Sequence, residues 1–151
     1  MQDLTWQVKH FNEISVNDYH DILHLRTAIF VVEQDCPYQE VDEKDKQAYH
    51  LFARNSNNEV IAVTRILPPE VSYAEVSIGR VALKSEERGI GIADTLLEKS
   101  KAFIEEKFGK SSIRISAQTY LLNYYQRHGF MPLGEEYLED DIPHIEMLLE
   151  V

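Results

Sequence analysis

Cysteine is nearly missing from this chain: Cys36 stands alone among 151 residues. That excludes an internal disulfide and a zinc site built from several thiolates. Asp35, Glu33 and Glu40 nearby in sequence disfavour the thiolate, so Cys36 reads as a structural thiol rather than a nucleophile. Long apolar runs are also missing, and none approaches the ~20 residues of a membrane span. The start, Met1-Gln2-Asp3-Leu4-Thr5-Trp6, has neither a basic nor an apolar leader segment, so a soluble cytoplasmic protein with no membrane partner is expected. Positive charge is scarce, with 15 Lys and Arg against 26 Asp and Glu and a net charge of −11. That argues against nucleic acid as a partner, because phosphate contacts need a basic face, and suits a cationic substrate better.

What is present is enough apolar residue, 44% of the chain, for one well-buried core, so a single domain over residues 1–151 is expected. Thr5 to Phe11 alternates as a strand does. Ser15 with Asp18 three residues on is a near capping box that opens a helix with Tyr19, Ile22, Leu23, Leu25, Ile29 and Phe30 at helical spacing. Val31 to Lys46 is polar, acidic and broken by Pro37, which predicts a substrate-facing loop with a short helical turn. Tyr49–Arg54 and Val60–Leu67, joined by Asn55-Ser56-Asn57-Asn58, predict a hairpin. Val76 to Leu83 follows as a strand and Ile92 to Phe108 as an amphipathic helix closed by Gly109. Ser112 to Gln118 predicts a strand, Leu121 to His128 a short helix, Glu135 to Asp141 an acidic loop and His144 to Leu149 a last strand. The sum is a mixed α/β (α+β) sheet, largely antiparallel, with helices on its faces.

The chemistry concentrates at Arg88-Gly89-Ile90-Gly91-Ile92-Ala93, between a strand and a helix. Two glycines allow a tight turn and close approach of a ligand, and the first helical N–H groups lack intrahelical partners at the positive end of the dipole. A pyrophosphate suits such a place, although a plain turn has the same composition. A nucleotide P-loop would need Gly-Lys-Ser/Thr where Ile92-Ala93-Asp94 stands. A Rossmann loop would need a third glycine in an early parallel βαβ unit.

A second constellation follows the strand Ile113–Gln118, namely Asn123-Tyr124-Tyr125-Gln126-Arg127-His128-Gly129-Phe130. Together, Arg88-x-x-Gly91-x-Ala93 and Tyr124-Tyr125-x-x-x-Gly129-Phe130 resemble the GCN5-related N-acetyltransferase (GNAT) family. The likeness spans essentially the whole chain. It is closer to the ElaA-like branch through Leu25-Arg26, Phe30-Val31-Val32-Glu33-Gln34, Cys36-Pro37-Tyr38 with Asp42, Ile78-Gly79-Arg80-Val81 and Ile142-Pro143-His144. Ser85 and Gln118 depart from the commoner Pro and Asn.

The resemblance implies a GNAT-type sheet splayed where acetyl-CoA enters. The backbone of Val81 and Leu83 would pair with the pantetheine arm, the amides from Arg88 through Gly89, Ile90, Gly91 and Ile92 to Ala93 would hold the pyrophosphate, and Gln118 and Asn123 would reach the cofactor. It implies direct attack of an amine on the thioester, with Tyr125 as the acid that protonates the leaving thiolate. For the base it offers Glu33 and His144 ahead of Glu75, with a water relay as an equal alternative. Arg65 and Arg80 would face one another across a hairpin, which is unfavourable without a carboxylate between them. That carboxylate is either internal, from Glu33 or Asp42, or belongs to an amino-acid-like substrate. His20 and His24 lack a third ligand in view, so no metal is expected. Strand edges left exposed in this fold offer a route to a homodimer. The rival readings are an acetyl-CoA-binding sensor without turnover and a nucleotide-binding protein.

Overall fold

The computed structural model describes residues 3–151. Strands β1 (Thr5–His10), β2 (Tyr49–Arg54), β3 (Val60–Leu67) and β4 (Ser77–Leu83) form an antiparallel sheet in chain order. β5 (Ile113–Gln118), β6 (Met131–Glu139) and β7 (Ile142–Leu149) form a second sheet in the order β5-β7-β6. The two meet through one parallel bridge, Val76 to Ile113, where Arg114 N–H donates to the Val76 carbonyl at 2.9 Å. Beyond it β4 and β5 part, and β4 runs from Ser77 to Leu83 with β3 as its strand partner.

Helix α1 (Val16–Thr27) and helix α2 (Ile92–Phe108) cover opposite faces of the first sheet. Ile22, Leu25, Ile29 and Phe30 pack on Phe52, Val63 and Ala82, while Leu96, Leu97 and Ile104 pack on Leu51, Ala53, Ala62 and Ile66. All eight residues of β3 are consequently buried. Ser15 caps α1, its hydroxyl accepting from Asp18 N–H at 3.0 Å. The Asp18 carboxylate does not return the bond to the cap but binds Arg54 at 2.7 Å.

Four sequence expectations are corrected. The first helix does not simply end at Phe30, because Ala28–Glu33 continues it as a π-helix. The segment Glu135 to Asp141 is not a loop. Most of it lies in β6, and only Asp140 (φ 50°) and Asp141 (φ 63°) make the turn into β7, as a tight hairpin with two left-handed residues requires. The last strand starts at Ile142 rather than His144. Arg65 pairs in register with Gly79 rather than Arg80, since a bulge between Val63 and Arg65 gives β4 an extra residue and puts Arg80 at φ 50°.

The acidic segment after the π-helix is held down by a buried ion network. Arg26, 1% exposed, donates to both carboxylate oxygens of Glu40 at 2.8 to 3.1 Å and to both of Asp45 at 3.2 Å. Arg65 reaches Asp42 at 2.6 Å and Asp45 at 2.9 Å. Arg80 bonds the Glu40 carboxylate, its carbonyl at 2.7 Å and Asp42 at 3.4 Å. Three guanidiniums and three carboxylates thus balance one another. Tyr19 adds a hydrogen bond to Asp45 at 2.7 Å.

Candidate active site

Where β4 and β5 part lies a cavity of about 670 Å³. β4 lines one wall and β5 another, with the π-helix and the acidic segment across from them. β5 alternates, burying Ile113, Ile115 and Ala117 in the core and leaving Arg114, Ser116 and Gln118 on the other face. Gln118 and Tyr137 lie on either side of His144 in register, so all three share that face. Of the residues singled out by sequence, Tyr125, His144, Val81, Leu83, Arg88, Ala93, Gln118, Arg65 and Arg80 line this cavity.

The glycine loop lies beside it, between Arg88 and Ala93. Gly89 and Gly91 adopt φ 86° and 89°, a left-handed conformation that side chains rarely adopt. Gly91 is the N-cap of α2 and offers no side-chain bond to the first helical N–H groups. Those amides, the exposed stretch Gly89 to Gly91 and the unpaired side of β4 fit an extended, anionic ligand arm. Arg88 is committed elsewhere: its Nε donates to the Leu83 carbonyl at 3.1 Å, and its terminal nitrogens bind Glu33 at 2.8 and 3.2 Å.

Tyr124 and Tyr125 sit on α3 (Leu122–Arg127), which follows a 3₁₀ turn, Thr119–Leu121. The Tyr124 hydroxyl donates to the Ala93 carbonyl at 2.6 Å and ties α3 to the start of α2. Tyr125 is 6% exposed and packs edge-on against Phe130. Burial, and after it the nearby Tyr120, push its phenol well above the ordinary range. Gly129 (φ 95°) makes the tight exit from α3, and a Cβ there would lie 2.9 Å from Leu149 Cδ1.

His144 is 6% exposed. Its Nδ1 is 2.7 Å from the Ile142 carbonyl, which only accepts, so Nδ1 carries the proton and the lone pair of the neutral ring is on Nε2. Nε2 stands 3.6 Å from Glu139 Oε2, beyond hydrogen-bond distance.

Other expected residues are not brought here. Glu33 lines a separate hollow beside α1, Asn123 is exposed off the cavity wall, and Glu75 pairs with Arg114 at 3.0 Å. Sequence reasoning missed Gln34, whose amide exchanges hydrogen bonds with that of Gln118 at 3.1 and 3.3 Å across 84 residues of chain. It also missed Glu139, assigned to a loop, and Glu40 and Asp45 in the network. No local signal marks such distant pairings. Burial first, then Asp140, Asp141 and Asp35, push the Cys36 thiol up. Among the described residues no group of three or more His, Cys, Asp or Glu is arranged to hold a metal ion, and no helix is long and apolar enough to cross a membrane.

A family model described as an acetyltransferase (GNAT) domain matches residues 15–151. The chain belongs to the GNAT family. Within it the chain is ElaA-like, being 38% identical to the protein ElaA of Escherichia coli over 98% of this chain and 97% of that one. A UPF0039 protein of Schizosaccharomyces pombe is 39% identical over the full length of both. The GNAT fold here superposes on the crystal structure of an acyl-CoA N-acyltransferase from Pseudomonas aeruginosa with a TM-score of 0.91, at 40% identity over 97% of this chain and 99% of that one. The E. coli ElaA crystal structure gives the same TM-score at 37% identity, over 98% of this chain and all of the other. Membership of this family makes the chain an acyltransferase.

Proposed function

We propose that the acyl group is acetyl, carried by acetyl-CoA, and that the acceptor is a primary amine that attacks the thioester directly while both substrates are bound. The observation that carries this reading is the cavity in which Tyr125 and His144 share the walls with the unpaired side of β4, next to the left-handed glycine loop. Val81 and Leu83 would align the pantetheine arm, and the amides from Gly89 to Ala93 would take the pyrophosphate. Gln118 would reach the arm once its amide is released from Gln34.

Acetyl-CoA supplies an activated acyl carbon and a thiolate leaving group. An alkyl ammonium, pKa about 10.4 in water, must first lose a proton, and His144 takes it on Nε2; the Nδ1 contact with the Ile142 carbonyl, which leaves the neutral ring's lone pair on Nε2, supports this role. Tyr125 returns a proton to the sulfur. Burial keeps its phenol protonated at neutral pH, so the proton is present when the C–S bond breaks. Glu33, paired with Arg88, is assigned to holding the cofactor loop rather than to base catalysis. Arg65 and Arg80 are assigned to anchoring the acidic segment rather than to a substrate carboxylate.

Calorimetry with acetyl-CoA, using ATP as control, followed by thiol release with a panel of amines, tests the reading. Micromolar binding of acetyl-CoA alone and amine-dependent thiol release support it. Binding without release to any amine indicates an acetyl-CoA sensor instead, and ATP binding without preference for CoA removes the acetyltransferase reading.

A further inference from the structure

We infer that the acceptor is an alkyl ammonium with no carboxylate on its reacting carbon, and that Glu139 on the β6–β7 hairpin selects it and presents it to His144. This rests on the acetyltransferase reading and adds the substrate class.

The charges on the cavity wall decide the sign of the ligand. Its guanidiniums are already neutralised, Arg65 by Asp42 and Asp45, Arg80 by Glu40 and Asp42, and Arg88 by Glu33. Lys44 also lines the wall without a carboxylate partner, but on the turn Glu43–Gln47, a different element from the hairpin. The carboxylates facing the cavity without a guanidinium are Glu139 and Asp140. Glu139 is half-exposed and receives one hydrogen bond, from Ser116 Oγ at 3.3 Å. A carboxylate offers roughly four acceptor positions, so room remains for an ammonium donor.

Acidity alone would not make a site. The independent observation is His144, more than nine-tenths buried, its tautomer fixed by the Ile142 carbonyl and its Nε2 without a hydrogen-bond partner on the cavity wall. Nε2 and Glu139 Oε2, 3.6 Å apart, can be bridged by one ammonium that gives a hydrogen bond to each. An amino-acid carboxylate on the same carbon would be carried next to Glu139 and Asp140, where like charges repel and no free guanidinium compensates. Tyr38 and Tyr73, which also line the cavity, already face Arg80 and Arg114, and Tyr120 adds an aromatic face that favours a cation.

In the transfer the ammonium gives one proton to His144 Nε2, and its freed lone pair forms the C–N bond to the acyl carbon. The C–S bond breaks with its electron pair leaving on sulfur. The second nitrogen proton passes to the half-exposed Glu139 carboxylate as the amide forms, and the thiolate takes its proton from Tyr125; exchange with solvent then removes the protons from His144 and Glu139 and restores the Tyr125 phenol, for a net release of one proton.

The test uses amine pairs differing only by the α-carboxylate, tyramine with tyrosine and propylamine with 2-aminobutyrate, assayed by thiol release from acetyl-CoA. The carboxylate-free member of each used pair is expected to have at least tenfold higher kcat/KM. Glu139→Gln is expected to raise its KM about tenfold with a smaller effect on kcat, and to narrow the preference at least fivefold. Equal use of both members, or a preference unchanged in Glu139→Gln, overturns the inference. If no amine releases thiol, calorimetry on the CoA-loaded protein decides. Tighter binding of the carboxylate-free members, lost in Glu139→Gln, upholds the substrate class while removing the transferase reading; equal or no binding overturns it. Glu139 is half-exposed, so the variant is expected to melt with wild type, which separates a lost contact from a lost fold.

Discussion

Glu33 and Arg88, 55 residues apart, form a two-pronged ion pair that joins the end of the π-helix to the first residue of the glycine loop. Both are about two-fifths exposed, at 42% and 43%, so the pair contributes less than about 1 kcal/mol to stability. Its consequence is functional, because a carboxylate engaged through both oxygens outside the main cavity is poorly placed to deprotonate an amine. Glu33→Gln is therefore expected to keep kcat within about threefold of wild type, with an unchanged melting temperature. A loss of a hundredfold or more in steady-state kcat would return Glu33 to the role of base.

Tyr125→Phe removes one oxygen from a buried ring whose hydroxyl has no hydrogen-bond partner among the described residues. The fold should be unaffected and acetyl-CoA binding unchanged by calorimetry. Loss of the acid is expected to lower kcat by roughly 10²- to 10⁴-fold. Because burial pushes this phenol well above its ordinary range, the wild-type rate should show no alkaline decline from Tyr125 up to pH ~10.

Among the elements read correctly from sequence, two follow a simple period of burial. β5 alternates buried and half-buried residues without a break, and α2 presents Ile92, Leu96, Leu97 and Ile104 to the core. β6 was illegible for the opposite reason. It is an edge strand with Pro132, a left-handed Gly134 and Glu135, Glu136 and Glu139, the features by which exposed edges avoid pairing with other chains, and they read as loop chemistry. The motif half of the site, Arg88 to Ala93 and Tyr124 to Phe130, was legible because each lies within one stretch of chain. The pairings Gln34 with Gln118 and Glu139 with His144 depend on register and on how the sheets part. The need for a carboxylate near Arg65 and Arg80 was read from a register that set them opposite one another; Arg65 pairs with Gly79 instead, yet both arginines do bind Asp42. That Asp45 and Glu40 join Asp42 in meeting it depends on where the acidic segment folds back.

Removing one partner from the buried network leaves another charge uncompensated, at a cost of about 3–5 kcal/mol. Arg65→Ala is expected near the low end, since Arg26 still holds Asp45, with a fall in melting temperature of about 6–12 °C for a chain of this size. Arg80, whose side chain is less buried than that of Arg65, should cost less. In both variants the KM for the amine should change less than threefold once the protein is assayed well below its melting point. A KM rise of tenfold or more with unchanged stability would instead place a substrate carboxylate on these arginines.

The same network sets how stability depends on pH. Burial pushes the His50 imidazole down, against the opposing hydrogen bond from Nε2 to the Asp45 carbonyl at 3.1 Å. A histidine depressed in the folded state binds its proton more readily when unfolded. Its contribution is therefore complete above the unfolded value of about 6.5 and is lost as pH falls below it. Asp45 behaves similarly at lower pH: burial opposes its ionisation, but the Arg26 charge and hydrogen bonds from Arg65, Tyr19 and Arg26 more than offset this and hold it below the usual carboxylate range. Its contribution is complete above about pH 4 and is lost as pH falls through its folded value. Urea denaturation from pH 8 to pH 3 should then show two declines, one beginning near pH 6.5 and a steeper one below about pH 4. His50→Gln should remove the upper decline and leave the lower one, whereas a His50→Gln profile parallel to wild type between pH 7 and pH 5 would assign that decline to another group.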